Sequence, residues 1–265
     1  MNRLLLSALL LLAGSAWAGP YEDAEAAHNR GDYAAELKIT RPLAAKGEAW
    51  AQYYLGQSYR SGRGVPQNYR DAAKWYRLAA AQGEAKAKFS LGQMYLFGQG
   101  AVQDYAEAVK WFRLAAAQGD AVAQRYLGWI YLDGKGVAQD YAEAVKWFRL
   151  AAAQGEEDAQ HYLGWMYLDG KGVAQDYAEA VKWFRLAAAQ GNGDSKFDLG
   201  VMYRSGRGVP MDDVRAHMWF NLAAVYGRAD AVKNRDIIAA RLTPQQMVEA
   251  QKLARECQAR NFKGC

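Results

Sequence analysis

Between Asp120 and Gly155 the apolar positions fall into two helical stripes separated by a glycine turn. Ala123, Leu127, Ile130 and Tyr131 stand at i, i+4, i+7 and i+8, one face of an α-helix. Gly134-Lys135-Gly136 follows, where glycine supplies the positive φ that ends a helix and opens a tight turn. Asp140 is then placed as an N-cap. Tyr141, Ala144, Phe148 and Ala151 make a second stripe, which stops at Gln154-Gly155. The pattern predicts helix, turn, helix. The small residues Gly128, Ala144, Ala151 and Ala152 would let the two helices approach closely.

This pattern recurs at a step of 36 residues. Leu55-Gly56, Leu91-Gly92, Leu127-Gly128, Leu163-Gly164 and Leu199-Gly200 keep the step, as do Trp75, Trp111, Trp147, Trp183 and Trp219. The stretch Tyr131–Gly155 is repeated letter for letter at Tyr167–Gly191. Five units are therefore expected over 48–227, free of insertions. A lone helix pair cannot bury its apolar face, so the copies must stack. The fold expected is all-α, a right-handed α-solenoid of helix-turn-helix repeats with capping helices at both ends. The recurring tryptophans of the second helix read as core. Residues 19–47 read as an N-terminal cap, a degenerate unit without a full first helix. Residues 228–265 read as C-terminal capping helices and tail, with Thr243-Pro244-Gln245-Gln246 as a capping box carrying Pro at the first helical position.

The first residues stand apart from this period. A positive start, Met1-Asn2-Arg3, precedes the apolar run Leu4–Leu12 and the small-x-small Ala16-Trp17-Ala18. That is the form of a signal peptide over 1–18, and it implies an exported, periplasmic or secreted protein. No later stretch is long and apolar enough to predict a transmembrane segment after its removal. The formal charge of +5 comes without clustered Lys or Arg, so no nucleic-acid partner is expected, whereas weak contact with cell-envelope components is open. In an oxidising compartment the two cysteines, Cys257 and Cys265, are expected to pair.

Candidate chemistry is sparse. His28, His161 and His217 fall in different units with no partner at metal-ligand spacing, so no metal and no cofactor is expected. No catalytic residue is assigned, because a repeat array presents periodic groups and catalysis needs converging ones. Glu107 with Lys110, Glu143 with Lys146 and Glu179 with Lys182 have the spacing of surface ion pairs.

The spelling A-x-x-x-L-G-x-x-Y-x-x-G-x-G-V followed by Y-x-x-A-x-x-W-F-x-x-A-A-x-x-G resembles the Sel1-like repeat family, a relative of the tetratricopeptide repeats. The resemblance covers about 48–227. It implies a solenoid serving as scaffold or adaptor in envelope and signalling pathways. The Helicobacter cysteine-rich branch, linked to penicillin binding, carries two Cys eight apart in each repeat. The matching positions here are Ala116 with Gln124 and Ala152 with Gln160, and only Cys257 and Cys265 keep that spacing.

In such solenoids the first helix of each unit lines the concave wall. Besides its core stripe, that helix carries a second stripe that varies from unit to unit. Trp50, Tyr53 and Arg60 are its candidate contact residues in the first unit, and Phe89 and Phe97 in the second. Arg125, Trp129 and Asp133 follow in the third, His161, Trp165 and Asp169 in the fourth, and Phe197 and Arg204 in the fifth. Trp, Tyr and Arg dominate binding hot spots. The sequence thus predicts a non-enzymatic scaffold that holds a protein or peptide partner of unknown identity on this wall. A peptidoglycan or other glycan binder, with tryptophans as sugar platforms, is the alternative, and a weak β-lactam or cell-wall hydrolase is a further one.

Overall fold

Each helix start found in the sequence is held by the side chain placed there. Asp140 accepts from the Glu143 amide, Asp176 from Glu179 and Asp212 from Arg215, so each N-terminus has one orphan donor satisfied. At the other end of the first helix of a pair, Gly134 takes φ 70°, a conformation that costs a side chain and costs glycine nothing. The computed structural model describes residues 19–262 with 264 and 265. The expected signal peptide, 1–18, lies outside the described residues.

The helices run in chain order as α1 (Pro20–Asn29), α2 (Tyr33–Lys46), α3 (Ala49–Ser61), α4 (Tyr69–Ala81), α5 (Ala85–Phe97), α6 (Tyr105–Ala116) and α7 (Ala121–Asp133). They continue as α8 (Tyr141–Ala153), α9 (Glu157–Asp169), α10 (Tyr177–Ala189), α11 (Gly193–Ser205), α12 (Asp213–Ala224), α13 (Ala229–Ala239) and α14 (Pro244–Ala259). No strand occurs among the described residues, and none of their helices is long and apolar enough to cross a membrane. The described residues divide into two compact units, one ending at Leu114 and one starting at Ala115.

In the second unit the two helices of a repeat meet at a glycine. A Cβ on Gly128 would stand 2.6 Å from the Phe148 ring, so only glycine lets α7 and α8 close around that ring. Ala144, Phe148 and Ala151 of α8 are fully buried with Leu127 and Ile130 of α7. Phe184 and Phe220 repeat the arrangement against Gly164 and Gly200. The first unit uses the same seam, with Tyr76 over Gly56 and Phe112 over Gly92.

One expectation needs refinement. Of the recurring tryptophans only Trp219 is fully buried; Trp75, Trp111, Trp147 and Trp183 are partly buried. The residue fully buried in every unit is the next one, Tyr76, Phe112, Phe148, Phe184 or Phe220. A helix turns by about 100° per residue, so neighbouring aromatics cannot share a face. Trp183 packs on a cluster shared by the preceding repeat and its own, around Phe148 and Leu163. The N-terminal cap, expected to lack a full first helix, has a short one of 10 residues against 13 in α3. Helix α1 packs on α2, and Tyr21 meets Trp50 edge-on at 5.4 Å. Its start was readable as Pro20 with Glu22 and Asp23 in the first turn.

At the other end α13 and α14 both pack on α12, and the Thr243–Gln246 capping box forms. Cys257 and Cys265 form a disulfide with Cα atoms 5.7 Å apart. Near it the repeat changes its chemistry. In the third and fourth repeats a buried glutamine accepts from a second glutamine, Gln124 from Gln154 and Gln160 from Gln190, both at 2.8 Å. In the fifth, Lys196 and Tyr226 take these places. The Lys196 ammonium, fully buried, donates to the Tyr226 hydroxyl at 2.7 Å and lies 3.6 Å from the centre of the Phe262 ring in the tail.

Candidate functional site

Within the second unit, α9 and α11 present neighbouring turns of the variable stripe, and a cavity of about 570 Å³ opens between them. His161, Trp165 and Asp169 of α9 line it with Phe197 and Asp198 of α11, and Arg228 closes it from just before α13. Leu132, Tyr162 and Met166 supply apolar wall, and Lys171 and Asp194 stand at the sides.

The floor is a hydrogen-bonded triad. One oxygen of Asp198, Oδ2, lies 2.9 Å from His161 Nε2 and 3.0 Å from the indole nitrogen of Trp165. The indole can only donate, and a neutral imidazole that donates here carries its proton on Nε2. Asp198 is 9% exposed and His161 is largely buried, yet Trp165 is 43% exposed. The indole edge is thus anchored while its face is open to solvent.

The rim is a set of ion pairs. Arg228 donates to Asp230 at 3.0 and 2.7 Å and also pairs with Asp194. Its guanidinium lies 4.3 Å from the centre of the Phe197 ring. Hydrogen bonding to Asp230, reinforced by the charges of Asp194 and Asp198, raises the Arg228 pKa, and the same bond lowers that of Asp230. Lys171 pairs with Asp169 at 3.0 Å. Burial, with a smaller push from Asp158, raises the Tyr162 pKa and keeps its phenol neutral. The lining residues include no Ser, Thr or Cys that could act as a nucleophile, and no group of three or more His, Cys, Asp or Glu suited to a metal occurs among the described residues.

Four of the candidate contact residues therefore converge: His161, Trp165, Asp169 and Phe197. The others have different surroundings. In the second unit Arg125 bonds Glu156 at 2.6 Å, and Trp129 packs on the core around Phe148 with Lys135 4.0 Å from its ring centre. Asp133 pairs with that same Lys135, and Arg204 donates to Asn234 of α13 at 2.7 Å. In the first unit Trp50 lies against Tyr21, Tyr53 packs on the cluster around Tyr76, and Phe89 meets Phe112 at 5.7 Å. Arg60 donates to Gln93 and Gln99, and Phe97 is 55% exposed.

Asp198, Arg228 and Lys171 were missed. A signal for Asp198 existed, since the 36-residue step puts Tyr54, Ser90, Tyr126 and Tyr162 at the same place. A carboxylate where the period spells Tyr or Ser departs from what packing alone repeats. Arg228 also had a signal, since the 36-residue step puts Glu48, Glu84, Asp120, Glu156 and Asn192 at its place.

A model of the Sel1 repeat matches residues 51–84, 85–120, 121–156, 157–192 and 193–224. Among solved structures the chain is similar to a protective antigen of uropathogenic Escherichia coli that displays an SLR fold. The two are 34% identical with a TM-score of 0.80, over 90% of this chain and 54% of the antigen. A Sel1 repeat protein from Oxalobacter formigenes is 33% identical with a TM-score of 0.76, over 82% of this chain and 87% of that one. The chain spans about half the length of the Escherichia antigen. No curated protein matches it. Five consecutive repeat matches on five consecutive helix pairs leave one assignment: the chain belongs to the Sel1 repeat family.

Proposed function

We propose that the protein is an interaction scaffold that holds a segment of a partner polypeptide in the α9–α11 groove of its second unit. Sel1 repeat folds generally serve as protein–protein interaction scaffolds and are typically non-enzymatic. The observation that carries the reading is the Trp165 indole, fixed along one edge by Asp198 and open on its face, over a cavity large enough for one or two side chains. Anchored aromatics beside a pocket are what partner chains use as hot spots. A glycan platform would also use the indole face, but it needs free donors and acceptors for sugar hydroxyls. Here the rim cations are already committed, Lys171 to Asp169 and Arg228 to Asp194 and Asp230. The signal-peptide form of residues 1–18 and the Cys257–Cys265 bridge support an exported location.

A photo-crosslinking amino acid at position 165, activated in intact cells, tests the reading. A polypeptide adduct is expected from the envelope fraction. A muropeptide adduct would favour the glycan binder, and no adduct at 165 would remove the groove as the contact surface. N-terminal sequencing of the purified envelope form is expected to begin at Gly19.

A further inference from the structure

We infer that the groove selects a cationic side chain, a lysine or arginine of the bound segment, laid on Trp165 and charge-compensated by Asp198. The inference rests on the groove reading above and adds what the groove recognises.

The reason is a charge left over once the pairs inside the cavity are assigned. Of the three carboxylates lining it, Asp169 is paired with Lys171 and Asp194 with Arg228. Asp198 is different. Its close partners are the indole of Trp165 and the imidazole of His161, and the imidazole is a countercharge only when protonated. Arg228 spends its hydrogen bonds on Asp194 and Asp230 and acts on Asp198 only at longer range. The charge of this carboxylate, nine-tenths buried, is met by hydrogen bonds from an indole and an imidazole and by none from a Lys or Arg. An incoming anion would meet that charge, whereas an incoming cation is drawn to it.

The walls suit the same ligand. Trp165 offers an open indole face, Phe197 already carries the Arg228 guanidinium on its ring, and Tyr162 lines the cavity beside them. Aromatic faces attract cations through their quadrupole, and a nearby carboxylate adds to that attraction. Arg228 on Phe197 shows within the molecule what a second guanidinium would do on Trp165. Leu132 and Met166 can cover the methylene stem of a lysine or arginine while its head reaches Asp198. A purely apolar side chain would fill the volume and leave the carboxylate without compensation.

The test is a displayed library of random dodecapeptides selected on the folded, full-length protein. Enriched sequences are then remade as fluorescent peptides for anisotropy. A basic residue at one fixed position is expected, with binding lost in Trp165→Ala. Replacing that arginine by citrulline, its neutral isostere, should weaken binding to the native protein about tenfold or more, and about threefold or less in Asp198→Asn. The citrulline exchange on the native protein stands by itself if Asp198→Asn proves unstable. Enriched peptides that need Trp165 but show no basic position, or that tolerate citrulline, overturn the cation inference and leave the groove intact. Enriched peptides indifferent to Trp165→Ala, or no enrichment at all, overturn the groove reading and the inference with it.

Discussion

Two aromatics of the second unit show how one repeat serves two ends. Phe148 sits at the seam between α7 and α8, fully buried over Gly128, in a stretch whose 25 letters recur without change in the following repeat. Trp165 sits on α9 at a place that reads Gln57, Gln93, Trp129 and Val201 in the other units, and it keeps 43% of its surface exposed. Identity between copies marks what must fit the same neighbour each time. Difference marks a place where stacking imposes no common residue, and the groove is built there. The first unit shows the stripe put to another use, with Trp50 covered by α1 and Arg60 bound to Gln93 and Gln99.

The seam should break first and hardest. Phe148→Ala removes a fully buried ring and leaves a cavity that Gly128 cannot fill, for a loss of about 3–5 kcal/mol in chemical denaturation. Trp147→Ala, one residue away and only partly buried, should cost clearly less than Phe148→Ala. Equal losses would return the tryptophan to the core.

The C-terminal staple comes next. Its short loop predicts a loss of about 2–3 kcal/mol when Cys257 and Cys265 are both changed to Ser, read as a shift in denaturation midpoint. Hydrogen exchange should then rise first in α13 and α14, since a stacked array loosens locally. The same seam can be overfilled. Gly128→Leu drives a side chain into the Phe148 ring and should cost about 1–3 kcal/mol or more, with exchange rising most in α7 and α8. Uniform loosening through α14 would contradict nearest-neighbour stacking.

The smallest effect is one of pH. Burial, then the charge of Arg235, lowers the pKa of His217 below its ordinary 6.5, against a weaker pull from Asp236. The unfolded chain therefore takes up that proton first. The contribution is complete above pH 6.5 and is lost as pH falls toward the lower native value. Melting temperatures at pH 7.5, 6.5 and 5.5 should fall less steeply in His217→Asn than in the native protein.

Much of this was legible beforehand, for reasons that differ by residue. Asp140, Gly134 and Thr243 act through local geometry, so their roles as caps and turn could be read from spacing alone. The Ala144–Phe148–Ala151 stripe had already pointed to the right aromatic. Recurrence of Trp147 and its equivalents drew attention to a partly buried position, because a residue can repeat for packing against the neighbouring unit as well as within its own. The groove was half legible. The stripe supplied His161, Trp165, Asp169 and Phe197. Arg228 reaches the cavity from the turn between α12 and α13, at the helix-start place where the other units carry an acidic residue or Asn192.

The central claim is that Phe148 holds the fold and Trp165 is free of that duty. Calorimetric melting of Phe148→Ala and Trp165→Ala beside the native protein tests it most directly. Trp165→Ala should cost about 1 kcal/mol or less, since an exposed ring and one hydrogen bond are removed, and should melt close to the native protein. Phe148→Ala should melt far below both. If Trp165→Ala melts as early as Phe148→Ala, the groove aromatic is part of the core and the separation of seam from binding surface is wrong.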